Sequence, residues 1–142
     1  MSTVDEVREA SKKFYAALNR MANGEKDTFA SVWLQNGSVT AMHPIGGREV
    51  GWDAVKGSFN QVAGVASDSK IELEDQLIQD LGDVAYELGT ESAQFKIAGH
   101  PVKGEMRVTN IYKKEGGNWK VVHHHTDLSP SMINVLQKLQ PK

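Results

Sequence analysis

The spacing of apolar residues changes about halfway along the chain, and this change constrains the fold more than any other feature. Before Gly64, apolar residues recur mostly every three or four positions, whereas from Lys70 onward they alternate with polar residues. The first spacing is typical of helices that bury one face, and the second of strands with one dry and one wet face. The sequence therefore predicts the α+β class, with helix covering the dry face of an antiparallel sheet.

Capping residues mark the helices of the first half. A capping box of Thr3 with Glu6 opens a long amphipathic helix that ends at Asn23-Gly24. A shorter helix is predicted over residues 27–36, with Asp27 as its cap and Phe29, Val32 and Trp33 facing inward. Two more are predicted over residues 52–64 and, at the end of the chain, after Ser129-Pro130. The segment "SVTAMH" is predicted as a strand and "PIGGREVG" as a loop, because the latter is rich in proline and glycine.

Four strands are predicted in the second half of the chain. They are "KIELEDQLIQDL", "VAYELGTESAQFKI", "GEMRVTNIYKK" and "NWKVVHHHTDL". The turns between them are short and contain glycine, so the strands are expected to form an antiparallel meander. A strongly curved sheet closed by helices leaves a conical hollow, and small-molecule sites usually form in such hollows.

Composition restricts the class of protein and its partners. The 142 residues fit one domain and include no cysteine, which excludes disulfides, zinc–thiolate clusters and a cysteine nucleophile. The formal net charge of −2 and the lack of a basic cluster argue against nucleic acid as a partner. No signal-peptide core or membrane-spanning run is visible, so we expect a cytoplasmic protein without a membrane partner. No nucleotide-binding glycine motif is present.

The run "VVHHHTDLSP" contains three of the five histidines. Strand alternation places His123 and His125 on the same face as Trp119 and Val121, with His124 on the opposite face. Because tryptophan and valine favour the dry face, His123 and His125 are predicted to point inward, either as hydrogen-bonded core histidines or as the lining of a pocket. No zinc-type spacing such as HExxH occurs, so we expect no metal.

Two further side chains are candidates for a site. His43 ends a predicted strand directly before Pro44, which places its imidazole at the rim of the sheet, either as a general base or as a turn residue without a task. Arg107 is predicted to point inward, where its permanent charge needs an anionic ligand or a carboxylate partner. The candidate carboxylates are Glu87, Glu91 and Glu105.

Three segments resemble the SnoaL-like, nuclear-transport-factor-2-like superfamily. They are "KFYAALNR", "VWLQNGSVTAMHPIGGREVGWDAV" and "GEMRVTNIYKKEGGNWKVVHHHTDLSP". The third also resembles the association domain of the calcium/calmodulin-dependent kinase. The resemblance implies one SnoaL-like domain over residues 1–142: a cone-shaped, curved antiparallel sheet packed on a long N-terminal helix and two shorter helices, as in cystatin-like folds. It also implies a homodimer formed through the outer face of the sheet.

Ketosteroid isomerases share this fold, and the resemblance implies a mechanism for comparison. Their aspartate general base, which precedes a proline, is matched here by His43. Their two oxyanion donors, a tyrosine and a protonated aspartate, are matched by Phe14 and Thr109, although Tyr15 is adjacent to the first. Both expected donors are thus absent, and a single such donor is worth ~3 kcal/mol of transition-state stabilisation. This argues against a classical steroid isomerase.

Two classes of function remain open, and neither needs a cofactor. In the first, the protein is an isomerase, cyclase or dehydratase in which His43 abstracts a proton next to a carbonyl group. In the second, it is a non-catalytic ligand-binding or homo-oligomerisation module. Its expected ligand is a small organic molecule, with carboxylates as one class. The residues predicted to bind the ligand, or to stabilise an enolate, are Arg107, Thr109, His123, His125, Tyr15 and Trp33.

Overall fold

The computed structural model describes residues 2–139, and these form three helices and one six-stranded sheet. The helices are α1 (Thr3–Met21), α2 (Trp52–Ala63) and α3 (Pro130–Leu139). The strands are β1 (Thr40–His43), β2 (Gly46–Val50), β3 (Ala66–Asp80), β4 (Val84–Ile97), β5 (His100–Glu115) and β6 (Asn118–Thr126). The sheet order is β2-β1-β6-β5-β4-β3, and only β1 and β6 run parallel. The predicted α+β class is confirmed.

Helix α1 lies across the concave face of the curled sheet. Its N-cap is Ser2 rather than the predicted Thr3, and Oγ of Ser2 accepts a hydrogen bond of 3.1 Å from the backbone N–H of Asp5. Its buried residues recur at steps of three and four, as the sequence predicts, and include Val7, Phe14 and Leu18. In the described part of the chain, no helix has the length and apolar character that crossing a membrane requires.

The sheet is irregular where β3 meets β4. Strand β3 shifts register twice against β4, and each shift contains an aspartate in the left-handed region, Asp68 with φ 54° and Asp75 with φ 56°. Between the shifts, β3 comes very close to Gly89 of β4. A Cβ atom on Gly89 would lie 2.6 Å from the Leu73 side chain and 2.9 Å from the backbone oxygen of Glu74. Glycine at this position therefore permits the close approach of the two strands.

Strand β6 contains one more residue than the stretch of β5 opposite it. Tyr112 of β5 pairs with Val121, but the preceding Ile111 pairs with His123, which leaves Val122 without a cross-strand partner. This is a β-bulge, and an extra residue of this kind reverses the alternation of faces along the rest of the strand.

The bulge reverses the predicted orientation of the three consecutive histidines. Trp119 precedes the bulge and lies in the core as predicted, with 8% of its surface exposed. Beyond the bulge, His124 is buried with 2% exposed, whereas His123 is half-buried and His125 is exposed on the outer face. The prediction that His123 and His125 point inward is therefore wrong, because it assumed unbroken alternation.

Two local predictions in the first half are also wrong. Residues 28–32 form turns rather than a helix, and Asp27, the predicted cap, has a left-handed backbone with φ 59°. The segment "PIGGREVG", predicted as a loop, contains β2, which pairs with β1 across the two-residue turn Pro44-Ile45. Phe29 and Trp33, the predicted inward residues of the missing helix, are nevertheless buried.

Replacement of Trp119 tests the packing of α1 on the sheet. Its ring lies in the core and its Nε1 donates a hydrogen bond of 3.1 Å to Oε1 of Glu6 on α1. We expect Trp119→Ala to lower the free energy of unfolding by about 3 to 5 kcal/mol, measured by urea denaturation. Trp119→Phe, the matched control, should lose less because it keeps an aromatic ring. A loss below about 1 kcal/mol in Trp119→Ala would contradict this packing.

Candidate functional site

An apolar cavity of about 210 Å³ lies between the concave face of the sheet and the three helices. Most of its wall is apolar and includes Met21, Phe59, Phe95, Met106 and Leu136. Three ionisable side chains also line it, namely His43 of β1, Glu91 of β4 and His124 of β6. An apolar pocket with a few converging polar groups is the usual form of a small-molecule site.

Glu91 lies on the inner face of β4 with 3% of its surface exposed. Its Oε2 accepts a hydrogen bond of 2.8 Å from the hydroxyl of Tyr15 on α1. Burial raises the pKa of Glu91 to about 7; the Tyr15 hydrogen bond opposes this effect and the nearby Glu87 carboxylate adds to it. At neutral pH the carboxyl group therefore exists in both protonated and ionised forms, which is the property of a general acid or base.

His124 faces Glu91 across the polar end of the cavity. Its Nδ1 lies 2.6 Å from Oδ1 of Asn110, and its Nε2 lies 3.9 Å from Oε2 of Glu91. Burial lowers the pKa of His124 to about 3, with smaller contributions from neighbouring histidines, so the ring is neutral. The separation of 3.9 Å is too long for a direct hydrogen bond, and a neutral ring does not form a salt bridge. His124 and Glu91 are therefore two unlinked polar groups on one wall.

A second buried carboxyl group, that of Glu87, lies four residues before Glu91 on the same face of β4. It accepts hydrogen bonds from Asn110 Nδ2 at 3.0 Å, from the Tyr112 hydroxyl at 2.7 Å and from Gln76 Nε2 at 2.6 Å. Asn110 Nδ2 also donates to the hydroxyl of Tyr15 at 3.1 Å. Three donors around one carboxyl group stabilise a carboxylate.

The hydrogen-bond network determines which nitrogen of His124 carries the proton. Asn110 must direct its amide nitrogen towards the Glu87 carboxylate, because two oxygens would repel each other there. Its Oδ1 therefore faces Nδ1 of His124 and can only accept a hydrogen bond, so Nδ1 is the protonated nitrogen. Nε2, the nitrogen nearest Glu91, consequently has a free lone pair.

His43 lies on the cavity wall at the end of β1, where Pro44 follows it. Its Nε2 is 2.8 Å from Oγ of Ser58, and that hydroxyl donates its only proton to the backbone oxygen of Val55 at 2.7 Å. Nε2 must therefore be the donor, which leaves Nδ1 as an unprotonated acceptor. Burial lowers the pKa of His43, with the Glu49 carboxylate opposing, so the ring is neutral at pH 7. A neutral imidazole can accept a proton.

Two other predicted ligand-binding residues, Tyr15 and Trp33, lie in the core behind the cavity. Tyr15 reaches the site only through its hydrogen bond to Glu91, and burial raises its pKa well above the ordinary value, so it remains a donor. Trp33 packs between Phe14 and Trp52, with ring centroids 6.4 and 6.5 Å away. Among the described residues, its Nε1 has no hydrogen-bond partner. Both residues support the wall rather than form it.

Arg107 points outward, and its predicted inward orientation is wrong. Its side chain is 85% exposed and forms a bidentate pair with Asp127, with Nε–Oδ2 at 2.8 Å and Nη2–Oδ1 at 3.1 Å. The inner positions of β5 are occupied instead by Met106 and Val108, on either side of Arg107. Its partner is therefore none of the three glutamates named as candidates. The Asp127 hydrogen bond raises the pKa of Arg107, and the same contact lowers the pKa of Asp127.

The remaining predicted ligand-binding residues also lie on the outer face. Thr109 and His125 line a shallow groove there together with Arg107. His123 of β6 lies beside this groove, and its Nδ1 is 2.6 Å from Oγ1 of Thr40 in β1. The sheet therefore separates these four residues from His43, and the structure does not bring the predicted set together.

Glu91 and His124 were not predicted as site residues from the sequence. A signal for Glu91 was present, because Glu87 and Glu91 share the alternation phase of the apolar Ala85 and Ala93. A charged residue on an apolar phase marks a buried carboxyl group. No comparable signal existed for His124. Within residues 2–139, no three histidine, aspartate or glutamate side chains are grouped closely enough to hold a metal ion.

The raised pKa of Glu91 predicts a specific dependence of stability on pH. Folding raises this pKa from 4.5 to about 7, so the folded state favours the protonated form. The resulting stability is fully present below pH 4.5 and is lost as the pH rises through 7. Relative to Glu91→Gln, the wild-type free energy of unfolding should fall across this window by on the order of 3 kcal/mol.

Urea denaturation at a series of pH values measures this difference. The matched control is Glu105→Gln, which alters an exposed glutamate of β5 and should keep the wild-type pH profile. Parallel profiles for wild type and Glu91→Gln would show that Glu91 titrates normally and that its environment is not as described.

Comparison with known proteins identifies the family. Residues 7–131 match the family model of the SnoaL-like domain. A candidate dehydratase of the nuclear-transport-factor-2-like family from Streptomyces avermitilis is 25% identical, with a TM-score of 0.78 over 88% of this chain and 94% of that chain. A search of curated proteins found no match.

Two further solved structures share the fold at lower identity. The CaMKII hub from S. rosetta is 24% identical, with a TM-score of 0.72 over 89% of this chain and 97% of that chain. A protein with a cystatin-like fold from Caulobacter vibrioides is 17% identical, with a TM-score of 0.72 over 96% of both chains. The family match and the curled sheet agree with each other, and the chain belongs to the SnoaL-like domain family.

Proposed function

We propose that this protein binds a small, uncharged, mainly apolar molecule in the inner cavity and catalyses proton transfer on it without a cofactor. One observation carries the proposal: a carboxyl group with a pKa of about 7, that of Glu91, lines the same apolar cavity as the neutral imidazole of His43. An acid and a base around one apolar space can move a proton in both directions.

The charge of the cavity argues for an uncharged ligand. Among the described residues that line it, none is lysine or arginine. A carboxylate ligand would therefore face Glu91 without a compensating cation, and an unpaired buried charge is costly. The carboxylate ligand expected from an inward Arg107 is consequently not part of this proposal, because Arg107 pairs with Asp127 on the other side of the sheet.

The mechanism assigns opposite roles to the two groups. Nδ1 of His43 takes a proton from a carbon next to a carbonyl group, and the electron pair of the broken C–H bond moves onto the carbonyl oxygen. The carboxylic acid of Glu91 donates its proton to that oxygen, so the negative charge is carried by the Glu91 carboxylate rather than by an enolate, and the positive charge by the His43 imidazolium. Isomerisation, cyclisation and dehydration all share this first step. The likeness to a candidate dehydratase supports an activity of this group.

A non-catalytic homo-oligomerisation module is the alternative function. The likeness to the CaMKII hub supports it, as does the outer face of the sheet, where Leu77 and Leu88 are 49% and 37% exposed. Sedimentation velocity tests this alternative, and a homodimer is the expected state. Oligomerisation would not by itself exclude catalysis, because the cavity lies on the opposite face of the sheet.

Exchange of carbon-bound hydrogen tests the catalytic proposal without knowledge of the natural substrate. In D₂O at neutral pH, the protein should accelerate deuterium incorporation next to the carbonyl group of small ketones such as cyclohexanone, followed by proton NMR. His43→Ala should lower this rate about 100-fold or more while near-ultraviolet circular dichroism shows an intact fold. Glu91→Gln should lower the rate as well, because it removes the acid.

His100→Ala is the matched control, since it removes an exposed histidine at the start of β5. It should exchange at the wild-type rate. Full activity in His43→Ala would remove His43 from the mechanism. Binding of the ketone without any acceleration by the wild-type protein would leave only a ligand-binding role.

A further inference from the structure

We infer that the polar end of the cavity recognises a hydroxyl group, which accepts a hydrogen bond from the Glu91 carboxyl group and donates one to Nε2 of His124. This inference rests on the proposed binding of an uncharged molecule in the cavity and adds its chemical class. The ligand therefore carries a hydroxyl group on an apolar carbon skeleton, as does the enol that the proposed proton transfer would form.

The spacing of the two polar atoms fits a single bridging oxygen. Oε2 of Glu91 and Nε2 of His124 are 3.9 Å apart, which is too long for a direct hydrogen bond. One oxygen at a normal hydrogen-bond distance of about 2.8 Å from both atoms would subtend an angle of roughly 90°. That angle is accessible to a hydroxyl oxygen. The gap therefore has the size of one hydroxyl group.

The gap has a hydrogen-bond donor on one side and an acceptor on the other, and this pair distinguishes a hydroxyl group from a ketone or ether oxygen. Glu91 protonated at Oε2 offers a donor there, while a lone pair of the same oxygen still accepts from Tyr15, and Nε2 of His124 offers a lone pair. A hydroxyl group satisfies both, whereas a ketone or ether oxygen accepts only and leaves the lone pair of Nε2 without a partner. A hydrocarbon satisfies neither. Since a buried polar atom without a partner is costly, the site should discriminate between molecules of equal size.

Neighbouring side chains fix which of these groups donates and which accepts a hydrogen bond. Asn110 of β5 binds Nδ1 of His124 and is itself oriented by the Glu87 carboxylate of β4. Tyr15 of α1 donates to Glu91, and Tyr112 of β5 donates to Glu87. The other ionisable group that lines the cavity is His43 of β1, which hydrogen-bonds to Ser58 instead. Glu87 is therefore a positioning residue that acts through Asn110.

The size of the cavity limits the skeleton to a small ring or short chain. A dry cavity of about 150 Å³ is sufficient to bind benzene in a protein core. The cavity here, at about 210 Å³, can accept a six-membered ring with one substituent. Cyclohexanol, cyclohexanone and methylcyclohexane are consequently suitable probes, because they share the ring and differ only in the substituent.

Dissociation constants of the three probes for the full chain test the inference. They are measured by NMR titration at pH 6, where Glu91 is mainly protonated. Cyclohexanol should bind about tenfold more tightly than cyclohexanone, which has a similar size and leaves Nε2 unpaired. In His124→Asn this preference should fall to about twofold or less, because asparagine can keep the donor to Asn110 but lacks the second nitrogen. His100→Asn, the matched control, should keep the tenfold preference.

The outcomes separate this inference from the proposed function. If all three probes bind with no preference for the alcohol, the hydroxyl site is overturned and binding in the cavity stands. If none binds, both are overturned. If His124→Asn does not fold, the nitrogen-15 resonance of Nε2 in the wild-type protein replaces it: the resonance should shift on addition of cyclohexanol and not on addition of cyclohexanone. Equal shifts, or no shift with cyclohexanol, would overturn the hydroxyl site.

Discussion

The polar end of the cavity depends on the buried carboxylate of Glu87. Three donors from β3 and β5 hold it, and one of them, the Asn110 amide, is oriented by that contact. Because Asn110 is oriented, its oxygen fixes the tautomer of His124 and its nitrogen binds Tyr15, which in turn donates to Glu91. One buried charge therefore determines the hydrogen-bonding direction of every group that reaches the ligand space from this side.

The two carboxyl groups on β4 differ in their partners, and that difference gives them different roles. Among the described residues, Glu87 has three donors, whereas Glu91 has one and faces an apolar cavity. Burial, with a smaller contribution from the nearby Glu87 carboxylate, raises the pKa of Glu91 to about 7. Gly89 lies between them and lets β3 approach closely, and β3 supplies Gln76 to the network. The close approach of β3 at Gly89 therefore also supports the hydrogen bonds around Glu87.

Much of the fold could be predicted from the sequence, because the spacing of apolar residues along a helix or strand is a local property. The position of His43 at the cavity followed from Pro44, which ends β1.

The orientation of the histidine run could not be predicted in the same way. Val121 and Val122 are equally apolar, so no difference in side-chain type marks the bulge between them, and one extra residue exchanges the faces of all three histidines. Arg107 was misplaced because the alternation of its strand allows either face, and its partner Asp127 lies beyond the end of another strand.

Carbon-13 NMR titration of the Glu91 side-chain carboxyl group is the most direct test of a proton-carrying site in the cavity. The resonance is assigned by its disappearance in Glu91→Gln. A midpoint near pH 7 is expected, because the apolar cavity and the charge of Glu87 both disfavour ionisation. A midpoint near 4.5, the ordinary value for a glutamate, would contradict this. Glu91 would then be a carboxylate at neutral pH and could act neither as an acid nor as a donor to a ligand oxygen.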